Sequence, residues 1–217
     1  VENFGELYEI GLEYTNKISK KEMGKYYTPE DVASLLSNWL LLLDGINICD
    51  VGCGTGNLIL NYLSKLKNDD AKKLIGDGHI YLYDIDSLAL KICKYSIAIK
   101  YGADLLDKIN DIKCDFLNKK IKLPNNSKVI SNPPYYKITE MKSTWKLTDV
   151  IKNSKELYSS FMEKIITQSV SSVIITPYSF IGSDKFYPLR RLMNDYNGFI
   201  VSFDNVPGNI FNGRKHG

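Results

Sequence analysis

A short apolar run, Ile46–Val51, ends in three glycines at alternate positions, Gly52, Gly54 and Gly56, and a helical pattern follows from about Asn57 to Lys67. A strand that turns through glycines into a helix lets the backbone approach a ligand where side chains would obstruct it. It also commits the chain to a crossover that packs back onto a sheet. The alternation continues: strands at 79–84, 112–114, 129–131, 173–176 and 198–203, and helices at 87–101, 155–171 and 186–196. Strands alternating with helices predict an α/β fold, a doubly wound, mostly parallel sheet with helices on both faces. Residues 68–78 are polar and glycine-containing and read as a loop, and 137–154 as an irregular stretch able to act as a mobile flap.

Ahead of the sheet lies a helical extension. Phe4, Leu7, Tyr8, Ile10, Leu12 and Tyr14 recur at helical spacing. A second helix is predicted from Thr28 to Leu43, with Thr28 as cap, Pro29 at the first helical position, and Glu30 and Asp31 complementing the dipole. Two parts follow: an N-terminal helical segment, 1–44, and a sheet domain, 45–217.

Composition excludes some classes and leaves others open. A balance of 28 basic against 25 acidic residues is too even to demonstrate a nucleic-acid partner. Cys49, Cys53, Cys93 and Cys114 form no CxxC pair and have two histidines for company, so neither zinc site nor disulfide framework is indicated. They read as small core residues of a reducing compartment. No stretch reaches the ~18 apolar residues of a membrane span. A cytoplasmic protein is expected, without a metal.

The candidate chemistry gathers at strand ends. Asp50, just before the glycines, would repel a pyrophosphate and welcome a cationic amino group. That favours a ligand joining an amino acid to a nucleoside without phosphates, which describes S-adenosylmethionine. Asp84, with Ile85 beside it, ends the second strand, where a carboxylate meets ribose hydroxyls; Asp86 is placed to cap the next helix. Asp115 and Phe116 follow the third strand. They can accept from an adenine amino group and stack on its face, or they are a turn aspartate and a core phenylalanine.

Ser131-Asn-Pro-Pro-Tyr-Tyr136 is the most specific feature. The exocyclic amine of adenine is a poor nucleophile because its lone pair is delocalised into the ring. Two acceptors for its protons, the Asn132 side-chain carbonyl and the Pro133 backbone carbonyl, favour a tetrahedral nitrogen and localise that pair. Pro133 and Pro134 fix the backbone so that the acceptors converge at little entropic cost. Tyr135 supplies an aromatic face for a base swung out of a duplex, and Tyr136 reads as either core or base contact.

Gly24-Lys-Tyr-Tyr-Thr-Pro29, Asp50–Gly56, Asp84, Asp115-Phe116 and Asn132–Tyr135 resemble, in order, the motifs of the amino-group (N6-adenine) DNA methyltransferases of restriction-modification systems, in their gamma-type arrangement. The resemblance covers about residues 20–217. It implies a Rossmann-like class I methyltransferase fold, an S-adenosylmethionine cofactor, and transfer of its methyl group to N6 of an adenine flipped out of double-stranded DNA. It further implies that Tyr27, Thr28 and Pro29 touch the methionine part of the cofactor, and that Phe211 joins Tyr135 in sandwiching the base. The family's seventh strand and target-recognition domain would follow Phe211, so the chain reads as a truncated catalytic domain. A specificity domain or fused endonuclease is expected in the intact protein. The competing readings are an N-methyltransferase of another planar amine, a release-factor glutamine amide or an RNA base, and a non-catalytic subunit on a degenerate methylase fold. Lys137, Lys142, Arg190-Arg191 and Arg214-Lys215-His216 are candidate phosphate contacts or plain surface charge, and Trp145 a candidate base contact or flap packing.

Overall fold

The structure, a computed structural model, describes Tyr8, Gly11 and residues 28–203. Its elements run α1 (Glu30–Leu41), β1 (Asn47–Val51), α2 (Asn57–Lys65), α3 (Asn68–Gly76), β2 (Ile80–Asp84), α4 (Ser87–Tyr101), β3 (Asn110–Lys113), β4 (Ser127–Ser131), α5 (Asp149–Ser154), α6 (Leu157–Gln168), β5 (Ser171–Ile174), α7 (Ser179–Gly182) and α8 (Tyr187–Met193). The five strands form one parallel sheet in the order β3-β2-β1-β4-β5.

Strand periodicity divides the core. Ile48, Ile80, Leu82 and Ile130 point to one face, where α1 to α4 cover them. Their neighbours Cys49, Val51, Tyr83 and Val129 point to the other, against α5, α6 and the Phe116–Leu123 segment. A third cluster, with Tyr135, Tyr158, Phe186 and Leu189, packs α6 against α7 and α8. Both faces are covered, as a parallel sheet requires. The chain winds outward from β1 to β3, then returns to lay β4 on the other side of β1. That reversal opens a crevice beyond the carboxyl ends of β1 and β4.

Three sequence expectations are corrected. Residues 68–76 are helix α3, not loop. Ala71, Leu74 and Ile75 lie on one helical face, Ala71 and Ile75 are fully buried, and Asp69 and Asp70 suit the first turn; the polar majority hid that narrow apolar stripe. Residues 198–203 form no strand. They run exposed, without a ladder to β5, and Phe199 packs edge-on against Trp39 of α1. Thr28 does not cap α1: Pro29 occupies the cap position and the Thr28 hydroxyl is engaged elsewhere. The 137–154 stretch holds a short helix, α5, capped by Thr148. Among the described residues no helix is long and apolar enough to cross a membrane.

Candidate functional site

The glycine loop is built by backbone conformations that only glycine adopts easily. Gly52, Gly54 and Gly56 have φ of +75°, +51° and +96°. The loop is pinned to the neighbouring strand, because Gly52 and Cys53 N–H both donate to the Tyr83 carbonyl. Gly54 N–H donates to Asp84 Oδ2 at 2.8 Å, while Asp84 Oδ1 accepts from Asp86 N–H at 2.8 Å. Asp84 therefore holds the loop and the end of β2 in one arrangement, and each oxygen keeps a further lone pair for a ligand hydroxyl. Asp86 caps α4 through Leu88 and Ala89 N–H, and its other oxygen accepts from the Tyr8 hydroxyl at 2.7 Å.

Asp50 lies beneath the loop and is fully buried. Its Oδ2 accepts from Ile59 N–H of α2, and Oδ1 has no hydrogen-bond partner among the described residues. Burial pushes its carboxyl up to about 8, against the Ile59 hydrogen bond that favours the charged form.

A cavity of about 260 Å³ opens at the switch point. The glycine loop and Thr28 line one side, Asp84, Ile85, Asp115 and Phe116 another, and Asn132, Pro134 and Tyr136 a third. The structure thus brings together Thr28, Gly52, Gly54, Asp84, Ile85, Asp115, Phe116, Asn132 and Tyr136, residues spread over a hundred positions of sequence. Gly56 stands at the start of α2 against Cys93 rather than in the wall, and Pro133 is buried behind Asn132. Tyr27 and Phe211 lie outside the described residues, as do Arg214, Lys215 and His216.

Asn132 emerges directly from β4, which is tied to β1 by Ser131 Oγ donating to the Val51 carbonyl at 2.6 Å. Its backbone oxygen lies 3.7 Å from where a Gly52 side chain would begin, so the two loops nearly touch. Its side chain is held at both ends: Nδ2 donates to Thr28 Oγ1 at 2.9 Å, and Oδ1 accepts from the Tyr135 hydroxyl at 2.5 Å. The Tyr135 hydroxyl also lies 2.8 Å from the Ile175 carbonyl. Its ring is buried edge-on against Tyr158, so Tyr136, not Tyr135, is the exposed aromatic of this loop.

Three wall residues escaped the sequence reading or carry unexpected partners. Trp145 Nε1 donates to Asp115 Oδ2 at 2.9 Å, and Lys142 forms an ion pair with the same oxygen at 2.7 Å while lying over the Trp145 ring. The stretch after the Asn-Pro-Pro-Tyr loop is thereby clasped to the third strand's end. Tyr8 reaches the cavity from the N-terminal segment. A lone tyrosine in a helical pattern gives no signal of this; the Asp115 partners were foreshadowed only by Lys142 and Trp145 standing in an otherwise irregular stretch. Arg190, a candidate phosphate contact, gives its guanidinium to the Phe180 and Ser183 carbonyls. Lys164 donates to the Phe116 and Asn118 carbonyls over the Phe116 ring, and burial lowers its ammonium to about 8.

The five-stranded parallel sheet, with its glycine loop at the switch point and Asn-Pro-Pro-Tyr after the fourth strand, defines a class I methyltransferase fold. The chain belongs to the N-6 DNA methylase family, whose sequence profile matches residues 1–212. It is 30% identical over 134 residues to the methylase subunit of the type I restriction enzyme MjaIX of Methanocaldococcus jannaschii, covering 61% of this chain and 22% of that one. It is 22% identical over 234 aligned positions to the methylase subunit of the type I restriction enzyme MpnII of Mycoplasma pneumoniae, covering 97% of this chain and 42% of the relative. The chain thus spans less than half the length of these relatives. Among solved structures, a DrdV–DNA complex superposes with a TM-score of 0.68 at 17% identity, over 88% of this chain and 24% of that one.

Proposed function

We propose that this chain carries the catalytic core of a restriction-modification methylase that transfers a methyl group from S-adenosylmethionine to N6 of adenine in double-stranded DNA, in the cytoplasm. The observation that carries the reading is Asn132. Its amide stands at the carboxyl end of β4, in the wall of the cavity that the glycine loop opens. The curated relatives, both methylase subunits of type I restriction enzymes, support it.

The residues suit the cofactor. Gly54 faces open space where a side chain would otherwise stand, so a ligand can lie against the loop. Asp50 keeps one buried oxygen without a donor among the described residues, an orphan that a cationic amino group satisfies. Asp84 suits ribose hydroxyls, with Ile85 beside it, and Asp115 and Phe116 an adenine ring. Thr28, followed by Pro29, closes the methionine end, where the resemblance also puts Tyr27. Bound there, S-adenosylmethionine supplies an electrophilic sulfonium methyl.

The chain's own residues do the rest. Asn132 Oδ1 and the Pro133 carbonyl accept the two protons of the adenine amine and localise its lone pair for attack on the methyl carbon. With the cofactor held there, the nitrogen–carbon bond would form as the carbon–sulfur bond broke, and the extra proton on nitrogen would leave to solvent. Pro133 and Pro134 hold both acceptors rigid, while Tyr136 and Phe211 offer aromatic faces to the extruded base, the Tyr135 ring being buried against Tyr158. The work is positioning and stabilisation of charge growing on nitrogen. Labelled S-adenosylmethionine incubated with the intact protein and unmethylated DNA or RNA, followed by nucleoside analysis, tests it. N6-methyladenine in DNA is expected, and its loss in Asn132→Ala with cofactor binding retained. Label confined to RNA or protein refutes the DNA assignment.

A further inference from the structure

An asparagine can serve as the acceptor for an amine only if its amide is turned the right way. Rotated by half a turn, Asn132 would present Nδ2, and donor would face donor. Both of its partners are hydroxyls, able to donate or accept, so the distances distinguish the two ends: 2.5 Å to the Tyr135 hydroxyl suits an O–H···O bond and 2.9 Å to Thr28 an N–H···O bond. Nδ2 donates to Thr28 Oγ1 at 2.9 Å, across 104 residues of sequence, and Oδ1 is left facing the Tyr135 hydroxyl.

Thr28 is well prepared to impose this. It is 5% exposed, and the following Pro29 restricts its backbone to extended conformations. Its carbonyl accepts from Nδ2 of Asn57, the first residue of the helix that leaves the glycine loop. The hydroxyl therefore stands on a fixed backbone, coupled on one side to the cofactor loop and on the other to the amide. The tyrosine at the far end has one proton and two acceptors, Asn132 Oδ1 and the Ile175 carbonyl at 2.8 Å. It can turn that proton to Ile175 and release Oδ1 to an incoming amine, whereas Thr28 keeps hold of Nδ2.

We propose that Thr28 is a positioning residue for methyl transfer: its hydroxyl fixes the Asn132 amide so that Oδ1, not Nδ2, meets the substrate amine. This rests on the catalytic assignment of Asn132 made above and adds to it a role separate from cofactor contact.

The test compares Thr28→Val, which keeps the shape and loses the hydroxyl, with Thr28→Ser, which keeps the hydroxyl, in the intact protein. Single-turnover transfer is measured at saturating cofactor, beside the cofactor Kd and the thermal unfolding midpoint. Thr28→Val should slow transfer at saturating cofactor roughly ten- to a hundredfold, a larger loss than any it causes in the Kd, the range expected when an orienting hydrogen bond is lost. Thr28→Ser should recover the rate to within about threefold. A weakened Kd with an unchanged saturating rate would overturn the proposal, since Thr28 would then serve the cofactor alone. Equal losses in both variants would overturn it too, because the hydroxyl would not be what matters. If Thr28→Val fails to fold, Thr28→Ala against Thr28→Ser gives the same decision. Transfer by the unaltered protein to RNA or a protein amide instead of DNA would refute the DNA assignment but leave the comparison intact, since any planar amine meets the same oxygen.

Discussion

Gly56→Ala and Gly54→Ala separate two costs that a glycine loop ordinarily confounds. Both residues sit at positive φ, +96° and +51°, so alanine at either carries a left-handed backbone penalty of roughly 1–2 kcal/mol. Around Gly54 nothing lies within 4 Å of a new Cβ. Around Gly56 a Cβ would run into Cys93 Sγ and lie 3.1 Å from Cys93 Cβ, where the buried start of α2 meets the fully buried Cys93 of α4. Overpacking of that kind adds roughly 1–3 kcal/mol. Urea unfolding without cofactor should therefore show Gly54→Ala destabilised by about 1–2 kcal/mol and Gly56→Ala by about 2–5 kcal/mol. Cys93→Ala removes the clashing sulfur, so Gly56→Ala should cost less in that background, with a coupling of about 1 kcal/mol or more. Equal losses at the two glycines, or zero coupling with Cys93, would refute the argument that the loop is glycine at 56 for packing against α4.

Further expectations bear on charge and reactivity. Burial raises the Asp50 carboxyl to about 8, so the folded chain keeps a proton there at neutral pH; its stability contribution is fully present below the unfolded value near 3.9 and is lost as pH rises towards 8. Asp50→Asn should gain on the wild type by up to about 1.4 kcal/mol per pH unit across that window in cofactor-free unfolding, and a difference independent of pH would contradict it. Asp115→Ala should weaken cofactor binding and release the 142–145 stretch, read as faster amide exchange there; unchanged exchange would mean the clasp to Lys142 and Trp145 does not hold it. Burial pushes the thiols of Cys49 and Cys114 up to about 12 and about 11 and Cys53 well above its ordinary value, so native protein at pH 8 should resist iodoacetamide by mass spectrometry, and rapid labelling of Cys53 would argue against its packing beneath the loop.

The sheet was legible because each strand carries its own signal. β1, β2 and β4 alternate side chains between two buried faces and end in glycine, aspartate or asparagine, so both element type and site position could be read. Helix α3 was lost because two aspartates and two lysines surround one apolar stripe. The expected strand at 198–203 has a strand's composition, but a strand exists only where a partner takes its hydrogen bonds. Within the site, the cavity-lining residues were visible as residue types at strand ends, whereas their partners were not. Thr28 looks like a helix cap until Asn132, far along the chain, claims its hydroxyl. Nothing local to Tyr135 says that its ring is buried while Tyr136 faces the cavity, since adjacent tyrosines are told apart only by which core receives them.

The separation of Thr28 from Asn132 has a consequence during synthesis. At roughly 5–20 residues per second, the 104 residues from 29 to 132 take on the order of 5–20 s to be made. β1, already complete, meanwhile has only β2 to pair with on one side, and its other edge waits for β4. The nascent chain therefore passes through a stage in which the residues of the glycine loop have been made and the amide opposite them has not. A cofactor able to settle on the loop in that interval would meet a half-built sheet with an open apolar edge, and would favour its completion by binding the ordered form.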